Sequence, residues 1–199
     1  MTAALGLQIP IFPLGTVLYP EGVLPLRIFE QRYLEMTKGC IRDNSVFGVC
    51  GIREGLEVGR PAIPYDTGCT ARVAEWDMPH LGMFHLVVQG ESVFRIQEQW
   101  TTKSGLLQAQ VQLQPTPPPE PLSSEFAELA ELLGKVMTKL GAGRFPRPAR
   151  LDDAAWVAYR LGELLPLELD AKQRLLEARN PADALREVKK FLQARQVVL

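Results

Sequence analysis

The side chains best suited to metal or nucleophilic chemistry are few in this sequence of 199 residues. It contains three cysteines, Cys40, Cys50 and Cys69, and two histidines, His80 and His85. There is no Cys-x-x-Cys pair and no histidine pair at helical spacing, so no recognised zinc-ligand pattern is present. Cys50, Cys69 and His85 would form a metal site only if the fold brought them together. An odd number of cysteines in apolar surroundings instead predicts buried free thiols and no metal.

Nucleophilic and phosphate chemistry are not indicated either. Gly90-Glu-Ser-Val is not a nucleophile turn of the G-x-S-x-G type, and nothing marks a reactive thiolate. The glycine cluster that ends at Gly59 is followed by Arg60-Pro61, whereas a phosphate-binding loop ends in Gly-Lys-Ser or Gly-Lys-Thr. We therefore expect no catalytic residue and no cofactor.

One dense set of polar and aromatic side chains occurs in Arg27-Ile-Phe-Glu-Gln-Arg-Tyr33. Its members are Arg27, Phe29, Glu30, Arg32 and Tyr33. In one interpretation they form an ion-pair network that fixes the start of a helix to a sheet, since a charge in such a place must be satisfied. In the other they form the rim of a peptide groove. We favour the structural role, with both aromatic residues in the core.

An apolar segment interrupted by prolines precedes this set, from Ile9 to Pro20. Proline cannot donate to a β ladder, so the segment predicts short strands that break at edges or bends. It could supply an open strand edge for an extended polypeptide, with Phe12, Leu14, Leu18 and Tyr19 as peptide-binding contacts. The alternative is that these four side chains fill the core of the sheet.

The elements that must position these residues differ between the two halves of the chain. In the first half, residues 30–42 place apolar side chains at helical spacing. Strands are predicted at 46–52, 69–76, 83–90, 92–100 and 106–114, the third and fourth lying on either side of Gly90-Glu91. Short strands at such close intervals predict a curled sheet or pseudo-barrel over residues 1–114.

The second half is predicted to be helical. Residues 115–122 are rich in proline and predict a stiff linker. Residues 123–199 then follow the spacing of a helical bundle. The first predicted helix has a serine cap and ends at Gly141, the second is capped by Asp152 or Asp153 and stops near Pro166, the third spans 169–178, and the fourth starts at Asn180-Pro181.

Charge and hydropathy exclude some classes of partner. The formal net charge is −1, and residues 1–114 carry 9 basic and 11 acidic side chains. This balance does not favour nucleic acid. The N-terminus lacks the features of a signal peptide, and no apolar run approaches the roughly 18 residues that span a bilayer. We expect a cytoplasmic protein with no membrane partner.

Several motifs resemble the N-terminal domain of the Lon protease family. The stretch from Ile9 to Tyr33 is similar to the family's "PLFPL…LFPG…LPLRIFE.RY" signature. Phe47-Gly-Val-Cys resembles its "FGV" strand, and Gln89-Gly-Glu-Ser-Val-Phe-Arg-Ile96 is similar to "G..RFRI", with Val93 in place of the first arginine. In the second half, Lys172-Gln-Arg-Leu-Leu-Glu177 looks like part of the family's "LLP…KQ.LLE" passage.

The resemblance implies an α+β fold, in which a PUA-like, mostly antiparallel β pseudo-barrel is followed by an all-α helical bundle. It also implies a non-catalytic peptide- or protein-recognition module that binds unfolded or specific client proteins, with a protease as a further partner. Neither the ATPase loop nor the serine–lysine protease domain of full-length Lon is expected here. Two other classes stay open: an RNA-binding PUA-like protein, by analogy of fold alone, and an enzyme with an unrecognised pocket.

Overall fold

A computed structural model describes residues 6–59, 62–116, 118–141 and 144–195. The chain divides into two compact units, the first ending at Thr116 and the second beginning at Pro117. We call them the β unit and the helical unit. No helix in the described part of the chain is both long enough and apolar enough to cross a membrane.

The β unit contains six strands and one helix. In chain order they are β1 (Leu7–Leu14), β2 (Val23–Ile28), α1 (Gln31–Asp43), β3 (Phe47–Glu54), β4 (Ile63–His80), β5 (Met83–Thr101) and β6 (Leu107–Leu113). The sheet order is β2-β5-β4-β3-β1-β6, and β6 also pairs with β5. This second pairing closes five strands into a ring and leaves β2 beside it. Among the named pairs, β1 with β3 is parallel and the others are antiparallel.

The strand β5 corrects one sequence prediction. Two strands were expected on either side of Gly90-Glu91, but one strand runs through both residues. Glycine is required at position 90 because the backbone at Tyr19 packs closely against it, and not because the chain turns there. A Cβ atom at this position would lie 2.2 Å from the carbonyl oxygen of Tyr19, and the Gly90 amide donates to the carbonyl of Gly22 at 2.9 Å. The segment that leads into β2 therefore crosses directly over β5.

The proline-interrupted segment also differs from its prediction as an open edge. β1 pairs with β6 through Leu7–Ile11 and with β3 through Ile11–Leu14. The two ladders overlap only at Ile11. Pro10 is therefore paired only with β6, and Pro13 only with β3. This change of partner accommodates residues that cannot donate a hydrogen bond. β1 is therefore one of the five strands that form the ring, with β3 on one side and β6 on the other.

The helical unit follows the predicted pattern closely. A short 3₁₀ turn (Ser124–Phe126) leads into α2 (Ala127–Leu140), which is followed by α3 (Ala154–Leu164), α4 (Leu169–Glu177) and α5 (Pro181–Ala194). Asp153 caps α3 by accepting from the amides of Ala155 and Trp156, and Asn180 caps α5. The buried faces include Leu129, Leu133, Val157 and Leu185.

The end of the predicted linker belongs to the helical unit. Pro121 forms an isolated antiparallel bridge with Asp153. The amide of Leu122 donates to the carbonyl of Asp152 at 2.7 Å, and the amide of Ala154 donates to the carbonyl of Glu120 at 2.9 Å. Residues 120–122 are thus held against the start of α3.

Candidate functional site: an apolar groove beside an open strand edge

β2 has one free edge. Within the described residues it pairs only with β5, in the register Val23 with Gln89 to Ile28 with Phe84. The hydrogen bond from Gly90 to Gly22 sets the alternation of the antiparallel ladder. It follows that residues 24, 26 and 28 bond to β5, while the backbone groups of residues 23, 25 and 27 face away from it. An edge of this kind can accept another strand.

The side chains of β2 alternate between two faces, as in any strand. Leu26 and Ile28 are buried in the core of the β unit, and Leu24 packs against it. Val23, Pro25 and Arg27 are exposed on the other face. Proline is tolerated here because its position on the free edge requires no donor to β5.

A groove of about 370 Å³ runs along this edge. One wall is β2 with the start of α1, and the other is the end of β1 together with part of the segment after β3. We call it the β2 groove. Its lining residues are Phe12, Leu14, Thr16, Leu24–Glu30, Tyr33, Glu57 and Val58.

The rim of the β2 groove is apolar and accessible. Phe29 is 51% exposed and Val58 is 57% exposed, and the neighbouring Leu56 also projects into solvent. The side chain of Glu57 accepts a hydrogen bond from the amide of Gly15. This bond fixes the segment after β3 against the end of β1 and so holds Val58 at the rim. The exposure of large apolar side chains beside a free strand edge is typical of a binding surface.

The four side chains proposed as peptide contacts are all buried. Phe12 and Leu14 line the base of the β2 groove, each 7% exposed. Leu18 and Tyr19 are also buried, and neither is among the residues that line the groove. In this conformation Leu18 and Tyr19 contribute to the core, because the segment that contains them crosses β5 at Gly90. A role in peptide binding stays a prediction for all four residues, and Phe12 and Leu14 are the two that the groove could expose to a peptide, at its base.

The signature residues at the start of α1 separate into two groups. Arg32 is buried, forms an ion pair with Glu30 at 2.9 Å and donates to the carbonyl of Gly105 at 3.2 Å. Its guanidinium lies over the ring of Tyr33, which packs against Phe12 with 4.3 Å between ring centroids. These contacts join the start of α1 to the turn before β6.

The other two signature residues lie at the surface. Phe29, which the sequence placed in the core, lies on the groove rim, and Arg27 projects from the exposed face of β2. Sequence reasoning also missed the open edge of β2 and the rim residue Val58. Pro25 within an apolar run was the signal that could have identified an edge strand.

The titratable groups near the core are unsuited to catalysis. Cys40, Cys50 and Cys69 are buried free thiols. Burial raises the pKa of the Cys50 thiol strongly and that of Cys40 as well, so both stay protonated at neutral pH. Within the described ranges no three histidine, cysteine or acidic side chains are placed to hold a metal ion. His85 is exposed on β5, while Cys50 and Cys69 are buried.

One buried charged cluster lies in the helical unit. Arg160 is fully buried on α3, pairs with Glu163 at 2.6 Å, and lies over the ring of Trp156. Burial raises the pKa of the Glu163 carboxyl to about 7, and the guanidinium of Arg160 opposes this shift. Burial lowers the pKa of Lys172 on α4, and Glu163 opposes it.

The fold and the groove define an α+β protein of a known type, a closed β barrel followed by a helical bundle. The chain belongs to the family of the ATP-dependent protease La (LON) substrate-binding domain, whose family model matches residues 8–194. The resemblance identified from the sequence and the α+β fold class are both confirmed. Membership of this family supports a role in substrate recognition.

Solved structures support the same assignment. The chain is similar to the crystal structure of a Lon N-terminal domain protein from Xanthomonas campestris, with 32% identity and a TM-score of 0.75 over 94% of this chain and 98% of that one. The N-terminal domain of the Mycobacterium avium complex Lon protease has the same fold, with a TM-score of 0.66 and 16% identity over 96% of this chain and all of that one.

Curated relatives are much longer proteins. The Lon protease of Anaeromyxobacter dehalogenans is 26% identical over 199 residues, which cover 96% of this chain and 24% of that protein. Lon protease 2 of Myxococcus xanthus is 36% identical over 92 residues, which cover 45% of this chain and 11% of that protein. The chain thus spans about a quarter or less of the length of these relatives.

Proposed function

We propose that this protein recognises unfolded segments of client proteins by binding them in the β2 groove. The observation that carries the proposal is the exposure of Phe29 and Val58 beside an unpaired strand edge. An unfolded segment offers both apolar side chains and free backbone donors and acceptors, whereas a native protein buries most of them. A site with apolar walls and a free edge therefore prefers the unfolded form.

The region that corresponds to this chain in the curated relatives is part of a Lon protease. We therefore propose that a bound client is held for a protease, and that the 199 residues themselves do not cleave it. This agrees with the absence of a P-loop sequence from the chain. Release of peptides from the client by the pure 199-residue protein would contradict this part of the proposal.

The binding proposal is tested with one fluorescently labelled client in its native and its permanently unfolded form. Fluorescence anisotropy measures the affinity of the protein for each. We expect selective binding of the unfolded form, and a loss of affinity of about tenfold or more in Phe29→Asp and Val58→Asp, because each substitution places a charge on the apolar rim. Circular dichroism checks that both variants fold.

The matched control is Leu113→Asp. Leu113 is 46% exposed and belongs to the same β unit, but it is absent from the residues that line the β2 groove. We expect this variant to bind like the wild type. Equal loss in the control and the rim variants, or equal binding of native and unfolded client, would contradict the proposal.

A further inference from the structure

We propose that the client segment adds to the open edge of β2 as an extra strand, with an acidic residue opposite Arg27 and apolar residues on both sides of it. This inference rests on the proposed function and specifies the class of segment that the β2 groove accepts. It follows from the backbone groups at the edge, the charges around the rim and the alternation of faces along a strand.

The edge offers several unpaired backbone groups to an incoming strand. The alternation described above directs the N–H groups of Val23 and Arg27 away from β5, together with the carbonyl groups of Val23, Pro25 and Arg27. Pro25 supplies an acceptor but no donor. Val23 and Arg27 are therefore the two positions where an added strand can both donate and accept.

Arg27 provides the charge that selects the segment. It is exposed, and within the part of the chain that the structure describes it has no ion pair. The two carboxylates that line the groove are already engaged: Glu30 pairs with Arg32, and Glu57 accepts from Gly15. Arg27 is thus the lining cation that can attract an acidic side chain.

Glu75 and Asp77 line a second pocket together with Arg27, but within the described residues neither forms an ion pair with it. The residue directly opposite Arg27 on β5 is His85, and the next residue in that row is Asp77 on β4. Asp77 is two strands away, about 10 Å by the spacing of a sheet. An acidic residue on an added strand would lie one strand away, on the opposite side of β2. It would therefore interact with Arg27 more strongly than Asp77 does.

The alternation of faces then gives the rest of the pattern. A residue opposite Arg27 lies on the exposed face of β2, so the residues before and after it point to the other face. That face carries Leu26 and Ile28 and opens into the groove, where Phe29 and Val58 form the rim. The favoured segment therefore has an apolar–acidic–apolar core.

Charge selection is tested with two labelled nine-residue peptides in which serine and leucine alternate. The central residue lies between two leucines, and it is Glu in one peptide and Lys in the other. We expect the wild type to bind the Glu peptide about threefold to tenfold more tightly, and more so at low salt. Arg27→Glu should reverse this preference. Arg95→Glu makes the same change of charge at an exposed arginine outside the groove lining, and should keep the wild-type preference.

Strand addition is tested by N-methylation of the Glu peptide. Methyl groups on alternate amides remove either the donors that face β2 or those that face solvent. We expect the first set to weaken binding about tenfold or more and the second to have little effect. Equal effects of the two sets would overturn the strand model.

These results separate the inference from the function on which it rests. If the unfolded client binds through Phe29 and Val58 but Arg27→Glu leaves the peptide preference unchanged, the inference is wrong and the proposed function stands. If neither the peptides nor the unfolded client bind, both are wrong. Reversal of the preference in Arg27→Glu together with its retention in Arg95→Glu supports the inference.

Discussion

The two units differ in where they place large apolar side chains. In the described part of the chain, all but one of the large exposed apolar side chains belong to the β unit, and the exception is Leu140 at the end of α2. Both units bury an arginine in an ion pair, Arg32 in the β unit and Arg160 on α3. The β unit also leaves one edge of β2 unpaired by any strand in the described part of the chain.

The β unit thus exposes an apolar surface that a partner can cover, whereas the helical unit packs most of its large apolar side chains inside. Exposed apolar area and free backbone groups gain stability only when something covers them. A buried ion pair gains nothing from a partner, and its removal leaves a charge or a cavity in the core. We therefore expect changes in the helical unit to act on stability and changes at β2 to act on binding.

The largest expected effect is the loss of the buried charge in Arg160→Ala. We expect the free energy of unfolding to fall by about 3–5 kcal/mol, because Glu163 loses its partner and Trp156 loses a packed neighbour. Urea denaturation followed by circular dichroism measures it. Arg174→Ala, which removes an exposed ion pair with Glu187, should cost less than about 1 kcal/mol. Similar small losses in both variants would contradict the assigned importance of burial.

The next effect distinguishes two glycines of the β unit. Gly90→Ala should cost about 1–3 kcal/mol or more and also weaken client binding, because the new methyl group meets the Tyr19 carbonyl oxygen and displaces the segment leading into β2. Gly39→Ala in α1 meets no atom within 4 Å and should stabilise the protein by up to about 1 kcal/mol. Thermal unfolding by circular dichroism gives both values. If Gly90→Ala unfolds at the wild-type temperature, the segment that crosses β5 at Tyr19 does not pack tightly against residue 90.

A smaller effect is the pH dependence of the helical unit. The Glu163 pKa is raised to about 7 in the folded protein from an ordinary value of 4.5. The folded state therefore binds more protons between these values, and stability falls by about 1–3 kcal/mol as pH rises from about 4.5 to 7, then levels off. Urea denaturation at pH 5 and pH 8 measures the fall.

Two variants test whether ionisation of Glu163 causes this fall in stability with pH. Glu163→Gln cannot ionise and should lose this part of the pH dependence. Glu131→Gln removes an exposed carboxyl from α2 and should retain it. Parallel stability curves for the wild type and Glu163→Gln would contradict the assignment.

The smallest effect tests the local signals that start α3. Asp153→Ala removes the acceptor for two helix amides and should cost about 1 kcal/mol. Asp153→Asn keeps an acceptor oxygen but loses the ion pair with Arg150, and should cost less than about 0.5 kcal/mol. Urea denaturation followed by circular dichroism resolves the difference. If the two variants lose equal stability, the charge and not the cap stabilises the start of α3.

The units also differ in how much of them the sequence could predict. The helical unit depends on local signals: Asn180 was predicted to cap α5 and does so, and Asp153, which caps α3, was one of the two residues predicted for that position. Such signals need only the nearest few residues, so they can be identified without knowledge of the fold.

The candidate site depends on pairings that local patterns do not contain. Gly90 suggested a break between strands because its need for close contact arises from Tyr19, seventy-one positions earlier in the chain. Phe12, Tyr19 and Phe29 are all aromatic residues, but only the fold places Phe12 at the groove base, Tyr19 in the core and Phe29 on the rim. The open edge of β2 likewise follows from which strands pair with β5.

The most direct test of the central claim is amide hydrogen exchange of the wild-type protein with and without an unfolded client. We expect the client to slow exchange at Val23 and Arg27, whose N–H groups face the open edge, and around Val58 on the groove rim. Leu24 and Leu26 should change less, because their amides already bond to β5. Protection confined to the helical unit, with no change at Val23 and Arg27, would contradict the central claim.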